Sequence, residues 1–295
     1  MNHIIWRIIG SIFILCFIVL VVFTVKIHDM LESRNELEIG YIDALKILTT
    51  RNYDSEEEIV LKNQLEKSAY HHIRIYYGSD QKTLLSHTIS ALKEARMDNN
   101  RLIGQYPAPP VDLILFQNEE QFLQYAQISY TNGYYSDFDK IIGILPVYTD
   151  NDDYRKETIR YMVKHEYSHY ALLQKIQAMG VNNPIPEWFL EGYAEYLSFI
   201  HSSPFNTAET AGSIIPFDNL EKSEQWKHLR TAGVIDIYRQ SQEAIAYIVD
   251  EFGDEIILAI LKEADQADSF EQAIHRSTGL NYDDLENQLI QSMHE

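Results

Sequence analysis

The chain has 295 residues, 45% hydrophobic and 23% charged. That is enough apolar material for the core of one ordinary domain with roughly 70 residues over, and too much for a wholly disordered chain. The formal net charge of -20, with 44 acidic side chains against 24 basic ones and no Lys/Arg cluster, repels a phosphate backbone and excludes nucleic acid as a partner.

The only cysteine, Cys16, lies in an apolar run. Neither an intramolecular disulfide nor a thiolate metal site can form, so any metal must be held by His and carboxylates. Residues 8–25 carry no charged side chain and are flanked by Arg7 and Lys26. As a helix they extend about 27 Å, close to the thickness of a hydrocarbon core. The expectation is an anchor over residues 1–26 that crosses the lipid bilayer through residues 8–25. A cleaved signal peptide fits less well, because the run is long and no small-x-small site follows Val25. Ile14 and Leu15 likewise argue against a lipobox at Cys16. The positive-inside count is nearly tied between Arg7 with the α-amino group and Lys26 with Arg34. The N-terminal position favours a single-pass cell-membrane protein with its domain outside.

Residues 27–69 are charged, with Leu37, Ile42, Leu45 and Leu48 at near-helical spacing and an acidic run from Asp54 to Glu58; they read as a helical stalk or linker. A folded domain is expected over residues 70–295. Ile73, Ile75 and Tyr77 alternate with other side chains and end at Gly78, which predicts a strand, and residues 81–97 predict an amphipathic helix. After Pro107, Pro109 and Pro110 come a strand over 111–116 and a helix around 119–128. A third strand over 141–145 is expected near a sheet edge because Pro146 closes it. Everything beyond Asp150 is helical in pattern.

Asp152 or Asp153 can cap a helix that stops at Gly180. Its middle reads His165-Glu166-Tyr167-Ser168-His169. Histidines at i and i+4 project from one helical face, close enough for both to bind one Zn²⁺, while Glu166 points beside the ion, where it can hold a water molecule. Chance supplies about 0.04 such matches in a chain of this composition, so the pattern is strong but needs a third ligand. Pro186 opens Glu187-Trp188-Phe189-Leu190-Glu191-Gly192-Tyr193-Ala194-Glu195-Tyr196. There Glu191 would complete the metal site and Glu195 would accept the other ring N–H of a ligand histidine; Glu187 and Glu195 remain rival ligands. The aromatic residues on the same turns imply burial, and buried carboxylates need partners.

The HExxH helix and the Trp-Phe-Leu-Glu-Gly-Tyr-Ala-Glu-Tyr segment, with Glu191 standing 22 positions after His169, resemble the gluzincin metallopeptidases. Within them the closest likeness is to the peptidase-MA-like membrane-associated group, over about residues 70–295. The resemblance implies an α+β, zincin-like fold, a small mixed sheet followed by a helical C-terminal half, here behind the transmembrane helix and stalk. It also implies one Zn²⁺ per chain and a peptide or protein substrate. The segment Tyr238-Arg239-Gln240-Ser241 is similar to one whose tyrosine binds the oxyanion in related aminopeptidases, making Tyr238 the candidate for that role; His228 is the alternative donor. The Gly-x-Met-Glu-Asn motif that binds a free substrate amine in those enzymes is absent, so an endopeptidase is expected. A non-catalytic membrane-tethered binding or scaffold module, and a zinc hydrolase of non-peptide amides, are the competing expectations.

Overall fold

The computed structural model describes residues 10, 13–26, 28, 40–42, 54–126, 131–147, 149–200, 214–233 and 236–292. Residues 13–26 are helical and rise about 21 Å, against a hydrocarbon core of about 30 Å. Among the described residues no helix is long and apolar enough to cross a membrane. The expected fold, a domain standing behind a transmembrane helix, is corrected accordingly: no described helix is able to span. Residues 8, 9, 11 and 12 of the expected span lie outside the described residues, as do 27, 29–39 and 43–53 of the expected stalk.

Residues 54–69, expected as the end of that stalk, are instead part of the folded domain. Helix α1 (Glu56–Gln64) starts at a capping box, in which the Ser55 hydroxyl accepts the Glu58 N–H at 3.0 Å and the Glu58 carboxylate accepts the Ser55 N–H at 3.4 Å. Strand β1 (Glu66–Tyr70) then pairs antiparallel with β2 (Ile73–Tyr77). The buried Lys62 ammonium of α1 pairs with Glu58 and Asp112 and lies 3.2 Å from Asp54. Asp112 also pairs with Arg74, so the one charged residue of the buried strand β3 (Val111–Leu115) is compensated.

With β4 (Gly133–Ser136) and β5 (Ile141–Ile144) the sheet has the order β1-β2-β3-β5-β4, with parallel pairs in the middle and an antiparallel pair at each side. The strand expected at an edge, β5 (Ile141–Ile144), is interior: Asp112 of β3 lies opposite Ile141, and β4 (Gly133–Ser136) pairs along its other side. Pro146 follows the strand end, where it removes no ladder bond. Among the described residues β4 is the edge strand on this side.

Side chains alternate across the sheet. Ile73, Ile75, Leu113, Leu115, Ile142 and Ile144 join one core with helices α2 (Lys82–Ile103) and α4 (Asp152–Met179), while Tyr76, Ile114, Phe116 and Ile141 face the other way, towards Leu61 of α1 and Phe122 of α3 (Glu119–Ala126). Each fully buried aliphatic side chain contributes about 1.5–3 kcal/mol. From Asp152 onwards every described element is helical. These are α4, α5 (Glu187–Phe199), a 3-10 turn (Phe217–Leu220), α6 (Ser223–Ala232), α7 (Ile237–Phe252), α8 (Ile256–Ala264), α9 (Phe270–Thr278) and α10 (Tyr282–Ser292).

Candidate metal centre

Helix α4 begins at Asn151, whose side chain accepts the Tyr154 N–H; Asp152 and Asp153, the expected caps, occupy the first turn, where negative charge favours the helix dipole. It ends at Gly180 in the left-handed conformation, φ 69°. Pro186 caps α5 from outside the helix. At the far end of α5 the Ile200 carbonyl accepts from Arg160 Nη2 and Lys164 Nζ of α4, each at 3.2 Å. In its middle the Tyr193 hydroxyl donates to Asn99 Oδ1 at 2.9 Å, and Asn99 Nδ2 donates to Ser168 Oγ at 3.1 Å. These bonds tie α5 to α4 and α2 on both sides of the site.

That arrangement brings His165, His169 and Glu191 together. The two Nε2 atoms are 3.1 Å apart, and Glu191 Oε2 lies 3.3 Å from His165 Nε2 and 3.5 Å from His169 Nε2. A tetrahedral ion with bonds of about 2.0–2.1 Å needs donors about 3.3 Å apart, and two imidazoles with one carboxylate are a zinc-type donor set. Glu191 Oε2 is buried without a hydrogen-bond partner, a costly state that a cation would relieve. The residues therefore fit zinc. Of the three carboxylates along α5, Glu191 is the one grouped with both histidines. Glu187 instead accepts a 3.5 Å contact from the Ser223 hydroxyl, and Glu195 Oε1 lies 3.4 Å from His165 Nδ1 while accepting the Tyr161 hydroxyl at 2.6 Å. Among the described residues Asp54, Glu58 and Asp112 form a second close donor group, but the Lys62 ammonium sits among them.

Burial is the largest single influence on each of these groups, but it does not always decide the direction. It pushes His165 down, but Glu191, Glu195 and Glu166 outweigh it and raise the ring pKa to about 10. Burial raises Glu191, yet the two histidines hold its carboxyl well below the usual carboxylate range. Glu166 is raised by burial, with the histidines opposing and Glu191 and Glu195 assisting. Its side chain rests against β4: a Cβ on Gly133 would lie 2.7 Å from Glu166 Oε1 and 3.2 Å from its Cγ. A side chain at that position would push the carboxylate away from the edge strand.

A cleft of about 940 Å³ opens at His165, Glu166 and Glu195; His169 and Glu191 do not reach its wall. Val147, Tyr161, Met162 and Phe199 give it apolar surface, while Arg230, Tyr238, Arg239 and Glu243 give it polar surface. Tyr238 thus reaches the cleft. It does so because α7 packs tightly on α5, where a Cβ on Gly192 would lie 2.5 Å from Ser241 O. His228 is exposed on α6 and does not line the cleft.

Sequence reasoning missed Tyr161, Gly133 and Arg230. Tyr161 stands one turn before His165 on the same helix, a spacing that could have flagged it. Gly133 gave no such signal, since Asn132-Gly133 reads as a turn. Arg230 stands two residues beyond the weighed His228.

No family model matches the chain. The protein named Uncharacterized protein YhcO, from Bacillus subtilis (strain 168), is 30% identical over 227 residues, which cover 75% of this chain and 70% of that protein. The chain belongs to the YhcO family.

Proposed function

We propose that the protein is a zinc-dependent metallopeptidase, with His165, His169 and Glu191 holding one ion and Glu166 as the general base. The observation that carries this is the triangle of donor atoms 3.1, 3.3 and 3.5 Å apart, with a buried carboxylate, Glu166, on the histidines' helix and lining a cleft. Zinc, when bound, supplies a Lewis acid that lowers the pKa of water and polarises the substrate carbonyl.

Glu166 takes a proton from the attacking water and passes it to the leaving amine nitrogen. Tyr238, in the cleft wall, donates its hydroxyl to the carbonyl oxygen as that oxygen gains charge; losing one such donor typically costs about 10²- to 10³-fold in kcat. Glu195, itself held by the Tyr161 hydroxyl, stands 3.4 Å from His165 Nδ1, close enough to orient the ring by charge. Strand β4, the edge strand among the described residues, is where an extended peptide can add main-chain hydrogen bonds. Gly133 at its start lies against Glu166.

Replacing Glu166 with Gln should leave zinc stoichiometry intact and abolish turnover of a quenched peptide library. Full activity in that variant would remove Glu166 from its role. Glu191→Ala should strip zinc, measured by mass spectrometry, and unchanged stoichiometry would move the third ligand elsewhere.

A further inference from the structure

Helix α6 places two side chains one turn apart against Tyr238. The Trp226 ring meets the phenol edge-on, with centroids 5.2 Å apart at 82°. Arg230 Nη1 donates to the Tyr238 oxygen at 3.1 Å. Trp226 is buried at 2% exposure, so it fixes the ring plane, whereas Arg230 lines the cleft beside Tyr238.

A guanidinium carries donors and no acceptor, so the phenol oxygen must be the acceptor in this pair. Its own O–H hydrogen is thereby turned away from Arg230. No described protein group accepts it among the hydrogen bonds of this region. Tyr238 therefore presents a proton to the cleft rather than a lone pair. The adjacent positive charge also polarises the phenol, making it a stronger donor to an oxygen that is gaining negative charge. Burial and Glu191 push the Tyr238 pKa up to about 12, and Arg230 and Trp226 pull against them.

We propose that Arg230 is a positioning residue for the hydrolytic reaction: it locks the Tyr238 hydroxyl in the orientation that donates to the substrate's carbonyl oxygen. This rests on the metallopeptidase function proposed above. It goes beyond it by assigning α6, which supplies no metal ligand, the task of setting the oxyanion donor. Arg230 acts through Tyr238, so its loss should weaken the transition state and leave ground-state binding alone.

The test uses the full chain loaded with zinc, as wild type, Arg230→Met, Arg230→Lys, Tyr238→Phe and the double variant Arg230→Met/Tyr238→Phe. Against a cleaved quenched peptide, Arg230→Met should lower kcat about 10- to 100-fold with KM unchanged within about twofold. Arg230→Lys, which restores a donor, should recover part of that loss. The double variant should be no slower than Tyr238→Phe alone, because the two residues form one unit. Additive losses, or a raised KM at unchanged kcat, would overturn the assignment.

A second measurement is independent of activity. With 3-fluorotyrosine incorporated throughout, the ¹⁹F resonance that Tyr238→Phe removes should shift in Arg230→Met in the absence of any substrate. An unmoved resonance would show that the guanidinium does not engage the phenol and would overturn the proposal at its first step. If the resonance shifts but zinc-loaded wild type cleaves no peptide, the peptidase function falls. The positioning role falls with it, and the cause is then distinguishable from a missing contact.

Discussion

Substituting Gly133 by Ala perturbs Glu166, the proposed general base, without touching His165, His169 or Glu191, the proposed metal ligands. The added Cβ would stand 2.7 Å from Glu166 Oε1, 3.2 Å from Cγ and 3.3 Å from Cδ, whereas ordinary contact begins near 3.4 Å. The carboxylate must retreat by about 0.7 Å at its tip, and its 6% exposure leaves movement mainly towards the cleft. The cost in stability is that of mild overpacking, about 1–3 kcal/mol, or roughly 2–10 °C in Tm. The cost in rate is larger, because a misplacement of about 1 Å in a catalytic group is worth about 10²-fold. The assay is kcat on a quenched peptide alongside thermal unfolding and zinc content. Gly180→Ala is the control: it strains a φ of 69° with nothing within 4 Å, so it should cost about 1 kcal/mol while leaving kcat alone. Wild-type kcat in Gly133→Ala would refute the idea that β4 sets the position of Glu166.

Three further outcomes follow from the same geometry. Tyr161→Phe removes the 2.6 Å donor to Glu195 and should weaken zinc binding about 10- to 100-fold in chelator competition; an unchanged affinity would detach Tyr161 and Glu195 from the metal site. Lys62→Met leaves Asp54, Glu58 and Asp112 facing one another around a lost cation and should cost about 3–5 kcal/mol, lowering Tm by about 10 °C with zinc affinity retained. For metal-free protein, His165 is raised from 6.5 to about 10. Its stabilising contribution is therefore complete below pH 6.5 and lost as pH rises through about 10. At the proposed site zinc would have to displace that proton, so affinity should climb about tenfold per pH unit between 6 and 8; a flat profile in a fluorescent-chelator titration would contradict the raised pKa.

Much of the site was legible because it is local. His165, Glu166 and His169 share one helix face by spacing alone, and Glu195 follows Glu191 by one turn in the same way. The strands over Ile73–Tyr77 and Val111–Leu115 announced themselves by alternation or by a continuous apolar run. Strand β4 did not, being four residues long with a turn-like entry. The segment before residue 70 misled for a related reason. A polar helix and a strand with alternately exposed side chains look like a solvated spacer until their partners, β2 and Asp112, are known.

The apolar N-terminal run looked long enough to span a bilayer, yet residues 13–26 form the described helix and no described helix is long and apolar enough to cross a membrane.

The sequence by itself determined the two histidines, their neighbouring glutamate and the helices that carry them, because a period of 3.6 residues places side chains without reference to the rest of the chain. Tertiary structure alone decided which glutamate of α5 meets both histidines, that Gly133 of an edge strand abuts Glu166, and that Trp226 and Arg230 hold Tyr238. Each of those depends on how separate elements are packed, at Asn99, Tyr193 and Ser168, at Gly192 against Ser241, and at β5 against β4. Such contacts are fixed by shape and by buried hydrogen bonds, which no local periodicity encodes.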